Sequence, residues 1–100
     1  MYDLGQGVVQ DYKEAAKWYR KSAEQGLAAA QFALGAMYAN GDGVIRDNVY
    51  AHMWFNIAAS SGHKNAVTNR DIAAKNMMAA DISKAQGLAR ACVAKKYKGC

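Results

Sequence analysis

The chain has 100 residues, no proline, 52% hydrophobic residues and a formal net charge of +5. This length allows one small domain and excludes most larger enzyme folds, while the hydrophobic content excludes a disordered chain. The absence of proline, together with 21 alanines, favours helices over a β-sandwich or a collagen.

The sequence contains an internal repeat with a period of 36 residues. At this offset eleven positions are identical, and Tyr19 falls on the similar aromatic Phe55. The identical pairs are Met1 and Met37, Tyr2 and Tyr38, Gly5 and Gly41, Gly7 and Gly43, Val8 and Val44, Asp11 and Asp47, Ala15 and Ala51, Trp18 and Trp54, Ala23 and Ala59, Gly26 and Gly62, and Ala30 and Ala66. Such self-similarity is typical of a stacked repeat array.

The first predicted helix follows Asp11. Asp11 is suited to cap the helix, and Glu14 stands at the spacing of a capping box. Gly26 suits the left-handed position after the helix end. One arc of the helix is predicted to face inward. Its members are Tyr12, Ala15, Ala16, Trp18, Tyr19, Ser22 and Ala23.

The second predicted helix, from Leu27 to Asn40, contains no charged residue. A helix that is apolar on two sides is buried on both sides or lines a groove. One stripe holds Leu27, Ala30, Leu34, Met37 and Tyr38. The opposite face holds Ala29, Phe32, Ala36, Ala39 and Asn40.

A glycine-containing turn, 41–43, separates this helix from a third, predicted from Asn48 to Ser61. Val44 and Ile45 are expected to point inward, and Asp47 is expected to cap the third helix. The inward positions of that helix are Ala51, Trp54, Phe55, Ala58 and Ala59.

The repeat pattern fades in the last third of the chain. The unit that starts at Gly62 keeps only Ala66, so the array is expected to end there, with a last helix from Ala79 to Lys95 and a basic tail as its cap. The apolar stripe of that helix is Ile82, Ala85, Leu88, Ala89, Cys92 and Val93.

The repeated residues resemble the Sel-one-like repeat (SLR) family, relatives of the tetratricopeptide repeats. The matching positions are Ala30, Leu34, Gly35, Met37, Tyr38, Gly41, Gly43, Val44, Asp47, Ala51, Trp54, Phe55, Ala58, Ala59 and Gly62. The resemblance implies an all-α, right-handed superhelical solenoid of antiparallel helix-turn-helix repeats. We expect a single array over 1–100, with a truncated first repeat at 1–26, a complete repeat at 27–62, and a degenerate repeat with a capping helix at 63–100.

The resemblance also implies a non-catalytic scaffold that binds a protein or peptide through the concave face formed by its inner helices. Phe32 is expected to be the main apolar anchor, and Asn40 and Asn69 are expected to offer amide hydrogen bonds. The predicted binding residues are Ala29, Phe32, Ala36, Asn40, Asn65, Thr68, Asn69 and Ile72.

Two other function classes remain as alternatives. Cysteine-rich members of the family have been linked to penicillin binding or β-lactamase activity, but this chain lacks a cysteine pair in each repeat. The second alternative is a basic nucleic-acid-binding module, because the positive charge is concentrated in one half of the chain. Residues 51–100 carry eight Lys and Arg and two Asp, whereas residues 1–50 carry five Lys and Arg and six Asp and Glu. The glycine pairs, the two histidines and the two cysteines lack the spacing of phosphate, calcium or zinc sites, so no cofactor or metal is expected.

The chain opens inside what should be the first inner helix of such an array. We therefore expect the natural protein to extend upstream, or another element to cover the aromatic face of the first outer helix. Self-association through Tyr12, Trp18 and Tyr19 is one such hypothesis.

Cys92 and Cys100 are the only cysteines. On a continuous helix they would be about 12 Å apart, beyond disulfide reach, but a tail that folds back after the last helix can bring them together. We expect this disulfide, with a buried Cys92 and a free Cys100 as the alternative. The bond would imply an oxidising compartment, the bacterial periplasm or the exterior, with the cytoplasm as the alternative. The sequence contains neither a signal-peptide pattern at its start nor an apolar run of about 18 residues.

Overall fold

The helices that follow Asp11 and Asp47 begin directly after these two residues. The computed structural model describes residues 11–100 and contains five α-helices in that range. They are α1 (Tyr12–Glu24), α2 (Ala28–Asn40), α3 (Asn48–Ser60), α4 (Lys64–Ala74) and α5 (Ala79–Ala94). The predictions that rest on residues 1–10, including the Met1 and Tyr2 matches, lie outside the described residues.

The two predicted aspartate caps are present. The Asp11 carboxylate accepts a hydrogen bond from the backbone N–H of Glu14 at 3.0 Å, and that of Asp47 accepts from Val49 and Tyr50 at 2.9 and 3.1 Å. Gly26, which follows the end of α1, has φ +86°, a conformation that costs side-chain-bearing residues free energy.

Helix α3 is the centre of the packing. It packs against α2, α4 and α5, while α1 packs against α2. A shared core joins α1, α2, α3 and α5, and its alanines allow the helix axes to approach closely. Its buried members are Ala23, Ala30, Leu34, Met53, Trp54, Ile57, Ala89 and Cys92. The all-helical repeat architecture predicted from the sequence is confirmed.

The first helix buries less of its aromatic arc than the pattern predicted. Ala16 and Ala23 are buried against the remaining fold, and Tyr19 is partly buried. Tyr12 and Trp18, in contrast, are 40% and 58% exposed. Because α1 packs mainly on α2, only the part of the arc that faces α2 and the shared core is buried.

Three further apolar residues predicted to point inward are exposed. Leu27 precedes the first turn of α2 and is 56% exposed, and Ile45 lies in the loop before α3 and is 90% exposed. Val93 is at the edge of the buried stripe of α5, where Ala85, Ala89 and Cys92 contact the core instead.

The C-terminal tail folds back onto the core. Tyr97 and Cys100 pack against the buried cluster, and the Tyr97 ring lies so close to the α1–α2 turn that a Cβ at Gly26 would be 3.4 Å from its Cε2. The tail brings Cys100 to Cys92, with their Cα atoms 5.7 Å apart and a disulfide between them. The predicted pairing is therefore present in the structure.

Candidate functional site

The predicted binding residues lie on α2 and α4, the two helices that pack on the same central helix α3. We call this set the α2–α4 face. Its members are Ala29, Phe32, Ala36, Asn40, Asn65, Thr68, Asn69 and Ile72. No member carries a charge, in a chain in which 21% of residues do.

On α2 the predicted binding stripe consists of small side chains, with the amide of Asn40 at its C-terminal end. Ala29, Ala36 and Asn40 follow helical spacing on one side of α2, where Ala29 and Asn40 are exposed and Ala36 is partly buried. On its buried side the same helix carries Gly35, which lies against the ring of Phe55. A partner that lies along this stripe would therefore approach the α2 backbone closely.

The Phe32 ring is partly buried by contacts with two other rings of the fold. Its ring stacks on His63 with centroids 4.3 Å apart and planes inclined by 8°, and it lies 5.6 Å from the ring of Phe55. These contacts join α2, α3 and the residue before α4. Phe32 is partly buried by them, so it fixes the position of α4 and offers only part of its ring to a partner.

Ile72 is the most exposed large apolar side chain of the α2–α4 face, at 53%. Thr68 lies four residues before Ile72 on α4, and Asn65 lies three residues before Thr68, so the three share one side of the helix. Asn65 and Thr68 are also exposed, while Asn69 is partly buried. An apolar side chain bordered by an amide and a hydroxyl can bury part of a partner and pair with its backbone. Ile72 is therefore more accessible than Phe32, the residue expected from the sequence to be the main apolar anchor.

A polar contact behind this face attaches α4 to α3. The Arg70 guanidinium donates to the Asn56 side-chain oxygen at 3.2 Å and pairs with Asp71 at 3.3 Å. Helical periodicity on α4 gave no signal for this contact, because it depends on which side of α3 faces the following helix.

His52 is the buried titratable group nearest to this contact. It is 2% exposed, and its Nδ1 has no hydrogen-bond partner among the described residues. Burial lowers the pKa of His52, the positive charge of Arg70 lowers it further, and Asp71 acts in the opposite direction. The fold therefore favours the neutral form of this imidazole.

We expect the stability of the chain to fall as the pH drops through the ordinary histidine range because of His52. When the folded-state pKa is below the unfolded value of about 6.5, the unfolded chain takes up the proton first, so stability is full above that pH and declines below it. Urea unfolding at pH 7.5, 6.5 and 5.5 measures the slope, whose limit for one proton is about 1.4 kcal/mol per pH unit.

The matched variant for this prediction is H52Q, which keeps a polar side chain of similar length without a titration. It should show a flatter pH dependence than the parent over the same interval, whatever its stability at pH 7.5. Equal slopes for the parent and H52Q would contradict the assignment.

Two shallow grooves lie outside the α2–α4 face. One of about 240 Å³ runs along α1 beside Trp18, whose ring has the Lys21 ammonium 5.0 Å from its centroid. The other, of about 290 Å³, lies between α3 and α5 and is bordered by Asn56, Arg90 and Val93. Both grooves are open to solvent, and the first is lined by charged side chains of α1, among them Glu14, Arg20 and Glu24.

The described residues offer no metal site and no transmembrane helix. Between residues 11 and 100, no three His, Cys, Asp or Glu side chains come together in a group that could hold a metal ion. No helix in this range is both long and apolar enough to cross a membrane.

Comparison with known proteins gives the family. A family model described as Sel1 repeat matches residues 1–27 and 28–63. The crystal structure of c5321, a protective antigen present in uropathogenic Escherichia coli strains and displaying an SLR fold, matches with 41% identity and a TM-score of 0.85. The match covers 93% of this chain and 20% of that one, so this chain spans about a fifth of that protein's length. No curated protein sequence matches. The repeat pattern, the helix order and these matches show that the chain belongs to the Sel1 repeat family.

Proposed function

We propose that this chain is a non-catalytic interaction module that binds a protein or peptide segment through the α2–α4 face. The observation that carries the proposal is the exposed Ile72, with the exposed polar side chains of Thr68 one turn before it and Asn65 two turns before it on α4. Membership of the Sel1 repeat family supports the general role, since its repeats serve mainly as interaction scaffolds.

An extended segment is the partner that suits this face best. The small side chains at Ala29 and Ala36 allow a backbone to come near α2, and the amides of Asn40 and Asn65 can pair with its peptide groups. A face with few apolar anchors should give modest affinity, because only a few buried side chains carry most of the free energy of binding.

The test uses peptides selected by display against the folded chain and then measured by fluorescence anisotropy. I72E should weaken the binding of the selected peptides at least about tenfold, which corresponds to about 1.4 kcal/mol. The matched control is V93E on α5, where the parent side chain is 44% exposed against 53% for Ile72. We expect V93E to change the affinity less than about twofold.

A selection whose peptides lose affinity with V93E and keep it with I72E would overturn this choice of face. Circular dichroism of both variants checks that a loss of binding is not a loss of folding. The nucleic-acid alternative makes a different prediction, since its affinity would fall steeply with salt and would depend on the Lys and Arg of residues 51–100.

The exposure of Trp18 supports a second proposal, that α1 associates with another copy of the chain through Tyr12, Trp18 and Tyr19. Sedimentation over micromolar concentrations would detect this association, and a constant monomer mass would exclude it.

The Cys92–Cys100 disulfide supports the further proposal that the protein works in an oxidising compartment, the periplasm or the exterior of a bacterium. In that case the native chain, alkylated without reductant, should carry no label.

A further inference from the structure

The two sulfurs of the disulfide differ sharply in access. Cys92 is 1% exposed and belongs to the core cluster with Trp54 and Ile57, while Cys100 is partly exposed at the edge of that cluster. Thiol–disulfide exchange needs a thiolate to approach one sulfur of the bond from outside. The packing of this fold therefore allows attack at Cys100 and blocks it at Cys92.

The segment around Cys100 is strongly cationic. Lys95, Lys96 and Lys98 are all exposed, and the nearest acidic residue along the chain is Asp81, near the start of α5. Such a cluster raises the local concentration of small anions and favours the thiolate form of an incoming thiol. An anionic thiol is thus the reagent that this surface attracts.

The backbone of the same tail is held in an unfavourable conformation. Lys96 and Tyr97 have φ of +54° and +69°, in the left-handed region that residues other than glycine rarely adopt. The disulfide, the contact of Tyr97 with the α1–α2 turn, and backbone hydrogen bonds from the N–H groups of Lys96 and Tyr97 to the end of α5 hold them there. Opening the disulfide removes the one covalent restraint among these and favours release of the tail.

We propose that Cys100 is a thiol-exchange site for small anionic thiols and that exchange there unlatches the C-terminal tail from the core. The thiolate of the incoming molecule attacks Sγ of Cys100, a new S–S bond forms between them, and the Cys92–Cys100 bond breaks. The electron pair goes to Sγ of Cys92, which takes a proton from water and stays buried as a thiol. The disulfide is transferred without net oxidation, and this site is separate from the α2–α4 face.

The experiment uses the oxidised full chain and glutathione as the probe. After incubation and acid quench, the protein is unfolded, its free thiols are labelled with N-ethylmaleimide, and chymotryptic cleavage after Tyr97 separates the two cysteines for mass spectrometry. The expected products are a glutathione adduct on Cys100 and a maleimide label on Cys92. An adduct on Cys92, or exchange no faster than global unfolding, would overturn the proposal.

The role of the charges is tested with a triple variant, K95Q/K96Q/K98Q, and a matched triple, K64Q/K75Q/K84Q, that removes three lysines elsewhere. The first should slow glutathione exchange roughly three- to tenfold at low ionic strength, with the difference vanishing at high salt, and the second should have little effect. Equal slowing by both triples would contradict a local attraction.

Release of the tail is read by limited trypsin digestion of the parent chain. The glutathione adduct should be cleaved after Lys95 and Lys96 while Lys75 and Arg90 stay as protected as in the oxidised chain, with the helical circular dichroism kept. An adduct whose tail stays as protected as before would show that exchange does not unlatch it and would overturn that half of the proposal.

Discussion

Replacing Trp54 with alanine is expected to lower the free energy of unfolding by about 3–5 kcal/mol, whereas the same change at Trp18 should cost less than about 0.5 kcal/mol. The two tryptophans occupy the same position of the 36-residue repeat. Trp54 is 1% exposed and Trp18 is 58% exposed. The prediction therefore compares one residue type at one repeat position in two environments.

The cost at Trp54 comes from the neighbours that its ring contacts. Trp54 lies on α3 and belongs to a cluster with Ala23 of α1, Leu34 of α2 and Cys92 of α5. Removal of its ring therefore leaves a large cavity where these helices meet. A loss of this size is a large part of the 5–15 kcal/mol that stabilises a typical domain. Trp18 has no comparable cover, and its ring lies beside the lysines of α1.

Urea unfolding followed by circular dichroism measures both free energies. Should W54A fail to fold, W54F keeps most of the ring volume and also removes the indole Nε1, which is buried without a hydrogen-bond partner among the described residues. W54F should therefore cost much less than W54A, and W18F should again be close to neutral.

Fluorescence gives an independent check of the two environments. W18F, in which Trp54 alone emits, should show blue-shifted emission that iodide quenches poorly. W54F, in which Trp18 alone emits, should show red-shifted emission with efficient quenching. Comparable losses of stability for W18A and W54A, or efficient iodide quenching of Trp54, would contradict the difference in burial.

This contrast also shows what the sequence could and could not predict. The capping carboxylates of Asp11 and Asp47 predicted the starts of α1 and α3, because a cap acts over a single helical turn. Burial depends on the neighbours that an element meets in space. Identical residues such as Trp18 and Trp54 therefore received the same prediction and have different environments.

For the candidate site, too, the sequence predicted the features that depend on local helix geometry and missed those that depend on tertiary contacts. Periodicity placed Ala29, Asn65 and Ile72 on the outward sides of α2 and α4, since this depends only on helical geometry. It did not predict the stacking of Phe32 on His63, which requires the turn before α4 to fold against α2. For the same reason spacing alone left the Cys92–Cys100 pairing open, because only the path of the tail decides it.

The second large effect is expected at Gly35 in the middle of α2. A Cβ at this position would lie 2.6 and 2.7 Å from Cδ1 and Cε1 of Phe55, closer than real contacts allow. The ring cannot move away freely, since Phe55 is 3% exposed and lies against Phe32. We expect G35A to lower the free energy of unfolding by about 1–3 kcal/mol, the usual cost of overpacking.

The matched control is G87A in the middle of α5, where a Cβ would meet only the far end of Arg90 at 3.8 Å. Alanine is favoured over glycine inside a helix by about 0.5–1 kcal/mol, so G87A should stabilise the chain. Both variants share this gain in helix propensity, and the difference between them therefore measures the contact with Phe55. Thermal and urea unfolding of the two proteins, each compared with the parent, provide the values.

A double substitution locates the cause of the loss at Gly35. F55L shortens the side chain that the new methyl group would meet, so G35A should cost less in the F55L background than in the parent. Phe55 contacts Phe32, which in turn stacks on His63. Displacement of the Phe55 ring should therefore also shift α4 relative to α2 and lower the affinity for peptides selected on the α2–α4 face. Equal stabilisation by G35A and G87A would mean that α2 and α3 have room between them. The small residue at position 35 would then have no packing role in placing that face.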